Sequence, residues 1–160
     1  MAAILVEPAD VARVRRECSH WAAPGARRFH ARKESSRRRA SALSRLAKMS
    51  DVLSLVIVED TSAKPEVRAR EEVLLALAQE ATRLRVSRWV IEREDTSLDA
   101  DRRALANFTR RTTQAIFEYT HAVGSADPLL WPADLAAWAW TRGGQSRASI
   151  ESLAITHIHL

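Results

Sequence analysis

The chain has 160 residues, 46% of them hydrophobic and 28% charged, which suits one soluble globular domain with its own core. Its formal net charge of +5 favours anionic partners, while a single cysteine, Cys18, excludes an internal disulfide framework and fits a reducing interior. No apolar run approaches the ~20 residues of a membrane helix, and the opening MAAILVEPAD has neither a basic leader nor a cleavage signal, so the expectation is a cytoplasmic protein with no membrane partner.

Ala2 to Val6 is a short apolar run that reads as a strand. Glu7-Pro8 opens a helix whose inward stripe is Val11, Val14, Cys18 and Trp21, and Pro24-Gly25 closes it. Ala26 to Lys33 alternates weakly and predicts a strand. Glu34 to Met49 predicts a basic helix with Ala40, Leu43 and Ala47 inward, Leu46 beside them, and Arg37, Arg38, Arg39 and Arg45 mostly outside. Asp51 to Asp60 is the strongest strand, apolar on both faces from Leu55 to Val58, so it belongs in the middle of a sheet. Pro65 to Leu84 predicts the longest helix, burying Val67, Val73, Leu74, Leu77, Ala81 and Leu84. Arg88 to Glu94 reads as a short buried strand that runs into acid. Thr96 and Asp99 have capping-box spacing for a helix from Leu98 to Arg111, and Phe117 to Ala122 alternates as a strand.

The stretch Asp127 to Gly144 holds three of the five tryptophans, and Asp134 is its only charge between Leu129 and Trp140. It predicts a buried helix with Pro132 in the first turn, Trp131, Leu135 and Trp138 on one face, and Gly143-Gly144 as the stop. A short helix over Gln145 to Leu153 and an edge strand over Ala154 to Leu160 complete the chain. Strands alternating with helices predict an α/β fold: a single layered domain over residues 1–160, with a mixed sheet flanked by helices.

Three groups of residues could carry chemistry. Glu92 lies in an otherwise apolar strand, Asp95 just beyond it, and Asp134 in the core helix, with Asp60 as a spare at another strand end. Carboxylates so placed suit Mg²⁺ and phosphodiester cleavage. The competing reading has Glu92 paired with an arginine, Asp95 capping the next helix, and Asp134 complementing its own helix dipole. His121, late in a strand, is either a proton-transfer group or a core hydrogen bonder, whereas His157 and His159 carry no expected role. Arg37, Arg38 and Arg39 form either a solvated helix face or a set of phosphate contacts. No phosphate-binding Gly-rich loop, Gly-x-Ser-x-Gly elbow or His-Glu-x-x-His motif is present.

Four stretches carry a resemblance: Arg28-Phe29-His30 with Lys33-Glu34, Trp89 to Ser97, Tyr119 to His121, and Asp127 to Gly144. Through them the chain resembles a mainly actinobacterial group of uncharacterised proteins with a ribonuclease-H-like fold. That group opens with a strand bearing Asp-Glu-Ser just before the strand matched by Ala2 to Val6, so the resemblance implies a ribonuclease-H-like sheet lacking its first strand. It also implies Glu92, Asp134 and Asp95 as Mg²⁺ ligands, with Glu34 and His121 completing the catalytic set. The expected function is a metal-dependent nuclease acting on nucleic-acid phosphodiesters, complete if the true start codon lies upstream and degenerate if the first aspartate has been lost. The alternative is a non-catalytic protein of the same fold that binds nucleic acid or a protein partner. The open edge at Ala2 to Val6 is expected to pair with a rearranged neighbour near Phe29, or to dimerise.

Overall fold

The computed structural model describes residues 1–112 and 117–160. In chain order the elements are β1 (Ala2–Val6), α1 (Val11–Ser19), α2 (Ser36–Ala47), β2 (Leu53–Glu59), α3 (Glu66–Arg83), β3 (Arg88–Glu92), α4 (Leu98–Arg111), β4 (Glu118–Ala122), a 3-10 turn (Pro128–Leu130), α5 (Trp131–Arg142), α6 (Gly144–Ala148) and β5 (Ala154–His159). The chain divides into two compact units. One comprises residues 2–57 and 124–156. The other comprises Met1 with residues 58–123 and 157–160.

In the first unit β1 runs antiparallel to β2, with Ala2 opposite Ile57 and Val6 opposite Leu53. The strand order β1-β2-β5 puts β2 in the centre, which is why Leu55 to Val58 are apolar on both faces and almost wholly buried. Helix α1 buries Val14 and Cys18, and Trp21 just beyond it meets Phe29 edge to face at 5.7 Å. Burial pushes the Cys18 thiol up to about 12, so it stays protonated and packs as a small apolar group. Helix α5 packs on β1 and α2 through buried Leu135, Ala136 and Ala139.

The second unit is built on a parallel pair, β3 and β4, with Arg88 opposite Glu118 and Glu92 opposite Ala122. Helices α3 and α4 pack together, and the core joins Leu74, Ala78 and Ala81 of α3 to Ile91, Leu105 and Phe117. The α/β class is therefore as expected, and strands of both senses occur. Among the described residues the strands pair in the orders β1-β2-β5 and β3-β4.

Several local expectations need correction. Residues 26–33 form turns, not a strand. Lys33 N–H donates to the His30 carbonyl at 2.8 Å, and a carboxylate takes the Ala31 N–H that a sheet ladder would need. Consequently β1 pairs with β2 and not with this segment. Helix α2 buries Leu43 and Leu46 as expected and Ala42 as well, whereas Ala40 is exposed. In α3, Val67 is 66% exposed because it sits in the first turn, and Leu84 lies past the helix end and is 37% exposed. Only Ile91 of β3 is fully buried. Ser97, not Thr96, precedes α4, and no side chain caps that helix. Among the described residues, no helix is long and apolar enough to cross a membrane.

Strand β1 has β2 as its only strand partner among the described residues, and its sequence AAILV carries no charge. A bare apolar edge is a template for further pairing. The 160-residue chain is expected to self-associate with rising concentration in light scattering, and Ala3→Lys is expected to suppress that association. A wild-type monomer at every concentration would show that the edge is blocked.

Candidate functional site

The sequence-derived candidates fall into both units. Glu92, Asp95 and His121 belong to the unit built on β3 and β4; Glu34, Arg37, Arg38, Arg39 and Asp134 belong to the other.

In the β3–β4 unit the strongest electrostatic feature is a buried ion pair that sequence reasoning missed. Asp101 of α4 is 2% exposed and accepts two bonds from Arg70 of α3, Nε to Oδ1 at 2.9 Å and Nη2 to Oδ2 at 2.8 Å. This fork-on-fork geometry fits a planar guanidinium to a carboxylate. Arg70 also donates to Glu94 at 3.0 Å and feels the charge of Glu92 at the end of β3. Asp95 is exposed and paired with Arg93 at 2.6 Å, and it does not cap α4. His121 Nε2 is buried without a hydrogen bond, 3.6 Å from Asp101 Oδ2, which is too long for one. Burial pushes the His121 imidazole below its ordinary value of 6.5, and Asp101 opposes that shift without cancelling it. Asp60 is occupied at the end of β2, where it accepts from Ser62 N–H at 2.8 Å.

In the other unit Asp134 does not cap its own helix. Its Oδ2 accepts from His30 Nδ1 at 2.9 Å and from the Ala31 N–H at 2.8 Å. One carboxylate oxygen thereby fixes the turn at residues 30–33. The arginine run splits three ways. Arg37 is exposed, Arg38 is neutralised by Glu34 at 3.0 Å, and Arg39 turns inward. Arg39 donates to the carbonyls of Ala31 and Glu34 and to Ser36 Oγ, and its guanidinium lies 4.8 Å from the centre of the Trp138 ring. None of these partners is a carboxylate, so its positive charge is left uncancelled.

Arg39 opens onto a groove of about 1210 Å³. Helix α2 supplies Ser36, Arg39, Ala40, Leu43, Ser44 and Ala47, at spacings of three, one, three, one and three, which is one helical face. Lys48 follows at the end of that helix. Helix α5 supplies Trp138 and, one turn on, Arg142. Gly143 and Gly144 both take positive φ, +69° and +53°, so α6 starts directly after α5 and brings Gln145, Ser146 and Ser149 to the rim. Arg32 comes from the turn that Asp134 holds. The lining therefore contains four cations, five serines and no acid, and Arg32, Lys48 and Arg142 have no carboxylate partner among the described residues.

Sequence reasoning placed Trp138 on a helix expected to be buried nearly all round and did not single out Arg32, Lys48 or Arg142. A signal was available: Ser35 to Ser50 and Thr141 to Ile150 are both free of acid and rich in arginine and serine. Among the described residues, no three His, Cys, Asp or Glu side chains are grouped to hold a metal ion. Compared with known proteins, the chain matches no family model, no curated protein and no solved structure.

Two outcomes follow from these contacts. Asp134→Ala removes two hydrogen bonds, one of them from a buried backbone N–H, and is expected to lower stability by about 1–3 kcal/mol in urea unfolding. For His121, the folded value lies below the unfolded one, so the unfolded chain binds more protons in between. Stability is complete above about 6.5 and falls as pH drops toward the folded value. The melting temperature is expected to fall from pH 7 to pH 5, and His121→Asn to flatten that fall. The carboxyls of Glu80 and Asp60, held below their ordinary values of 4.5 and 3.8 by Arg83 and Ser62 respectively, act at lower pH.

Proposed function

We propose that this chain is a ribonuclease-H-like protein that binds nucleic acid, with the phosphate backbone lying along the groove lined by α2, α5 and α6. The observation that carries the reading is the groove's lining: four cations, hydroxyls between them, and no carboxylate. Phosphate is bound by such spaced cations, and serine hydroxyls and Gln145 can donate to phosphate or sugar oxygens. The net charge of +5 adds long-range attraction. The α/β class with strands of both senses is compatible with the ribonuclease-H-like fold.

Mg²⁺-dependent cleavage is the catalytic form of the same proposal. Among the described residues Asp134 Oδ1 accepts no hydrogen bond, which leaves one carboxylate oxygen for a cation.

The test is anisotropy of a labelled oligonucleotide as salt is varied. Arg39→Ala combined with Arg142→Ala is expected to flatten the plot of log Kd against log salt by about two phosphate contacts, while Arg37→Ala leaves the slope unchanged. Equal slopes in all three proteins would remove the groove from the reading. The same oligonucleotide incubated with Mg²⁺ tests cleavage, which Asp134→Asn is expected to abolish.

A further inference from the structure

The groove has one feature that phosphate binding does not use. Trp138 is half-buried on its wall, with the guanidinium of Arg39 layered over the ring at 4.8 Å from the centroid. Trp140 is also covered by an arginine, Arg147 at 3.5 Å, but neither of those residues lines the groove. Trp131 donates its indole N–H to the Gly124 carbonyl and is buried. Of these three tryptophans on α5, Trp138 alone faces the cationic channel.

An indole bordering a phosphate-binding groove, with a planar cation stacked on it, is a surface to which another flat π-system can add. The flat groups that travel with a phosphate chain are nucleobases. A duplex hides the faces of its bases in its own stack, whereas a single strand can turn one outward. We infer that the groove binds single-stranded nucleic acid, with one base stacked on the Trp138–Arg39 platform and the flanking phosphates on Arg39 itself and on Arg32, Lys48 and Arg142. The inference rests on the groove being the nucleic-acid surface and adds the strandedness and the residue that sets it.

Three probes of equal charge decide it: a labelled thymidine oligonucleotide, the same oligonucleotide with abasic sites, and a duplex of half its length, each titrated against the full chain at fixed salt. Unlabelled inorganic polyphosphate serves as a competitor without bases. The wild-type protein is expected to bind the thymidine strand about tenfold more tightly than the abasic strand and more tightly than the duplex. Trp138→Leu is expected to erase that tenfold advantage, Trp138→Phe to keep most of it, and neither to change the inhibition constant of polyphosphate. The inference is overturned if thymidine and abasic strands bind equally to the wild type, a comparison that needs no variant to fold, or if the duplex binds best. Salt-dependent binding with either result leaves a groove that reads phosphate alone. No binding of any probe, polyphosphate included, would overturn the nucleic-acid reading itself.

Discussion

One carboxylate oxygen decides the geometry of the cationic groove. Asp134 Oδ2 receives both the His30 ring and the Ala31 amide, from a segment 103 residues earlier in the chain. The amide belongs to a residue that is fully buried, so leaving it without a partner would cost the free energy of a desolvated donor. With that bond made, residues 30–33 turn instead of extending. The turn presents Arg32 to the groove and aims the Ala31 and Glu34 carbonyls at Arg39. A single acid inside a tryptophan-rich helix thus arranges basic residues on another part of the chain.

The distribution of paired and unpaired arginines is as informative as their number. Arg13, Arg15 and Arg45 meet Asp51, Asp127 and Glu17, exposed pairs worth a few tenths of a kcal/mol to about 1 kcal/mol each. Arg70 is spent on buried Asp101, where removing either partner would strand a charge. Arg32, Lys48 and Arg142 of the groove lining, by contrast, meet no carboxylate among the described residues. Arg38 shows how local this partition is: one residue from Arg39, it is cancelled by Glu34.

Much of the fold was legible in the sequence because long periodic segments declare themselves. The centre-strand character of β2 followed from its apolar run, and α3 and α5 from their length and helical spacing. What could not be read was set by distant contacts. Asp134 sits early in its helix, where local rules assign it to the helix dipole, yet its partners lie on another turn of chain. Trp138 was assigned to the core because a helix apolar nearly all round gives no phase from which to tell its faces apart. The strand expected at residues 26–33 failed because a side chain claimed its backbone donor. Asp101 was passed over as one more acid in the first turn of a helix, since its partner Arg70 belongs to a different element. The arginine run was visible, but its three separate fates depended on Glu34 and Trp138.

Arg39 differs from a typical surface arginine in how little freedom it retains. Two carbonyls, a hydroxyl and an indole ring already hold its guanidinium, and each is neutral. Free arginine side chains surrender about 2 kcal/mol of rotamer entropy when they are immobilised. Here that loss is incurred during folding, before any ligand arrives. A negatively charged group reaching this position therefore meets a cation that is already oriented, and the interaction is not discounted by the ordering of a long side chain. The groove is rigid at its most basic point, so selectivity there depends on the shape and spacing of the incoming group and not on adaptation by the protein.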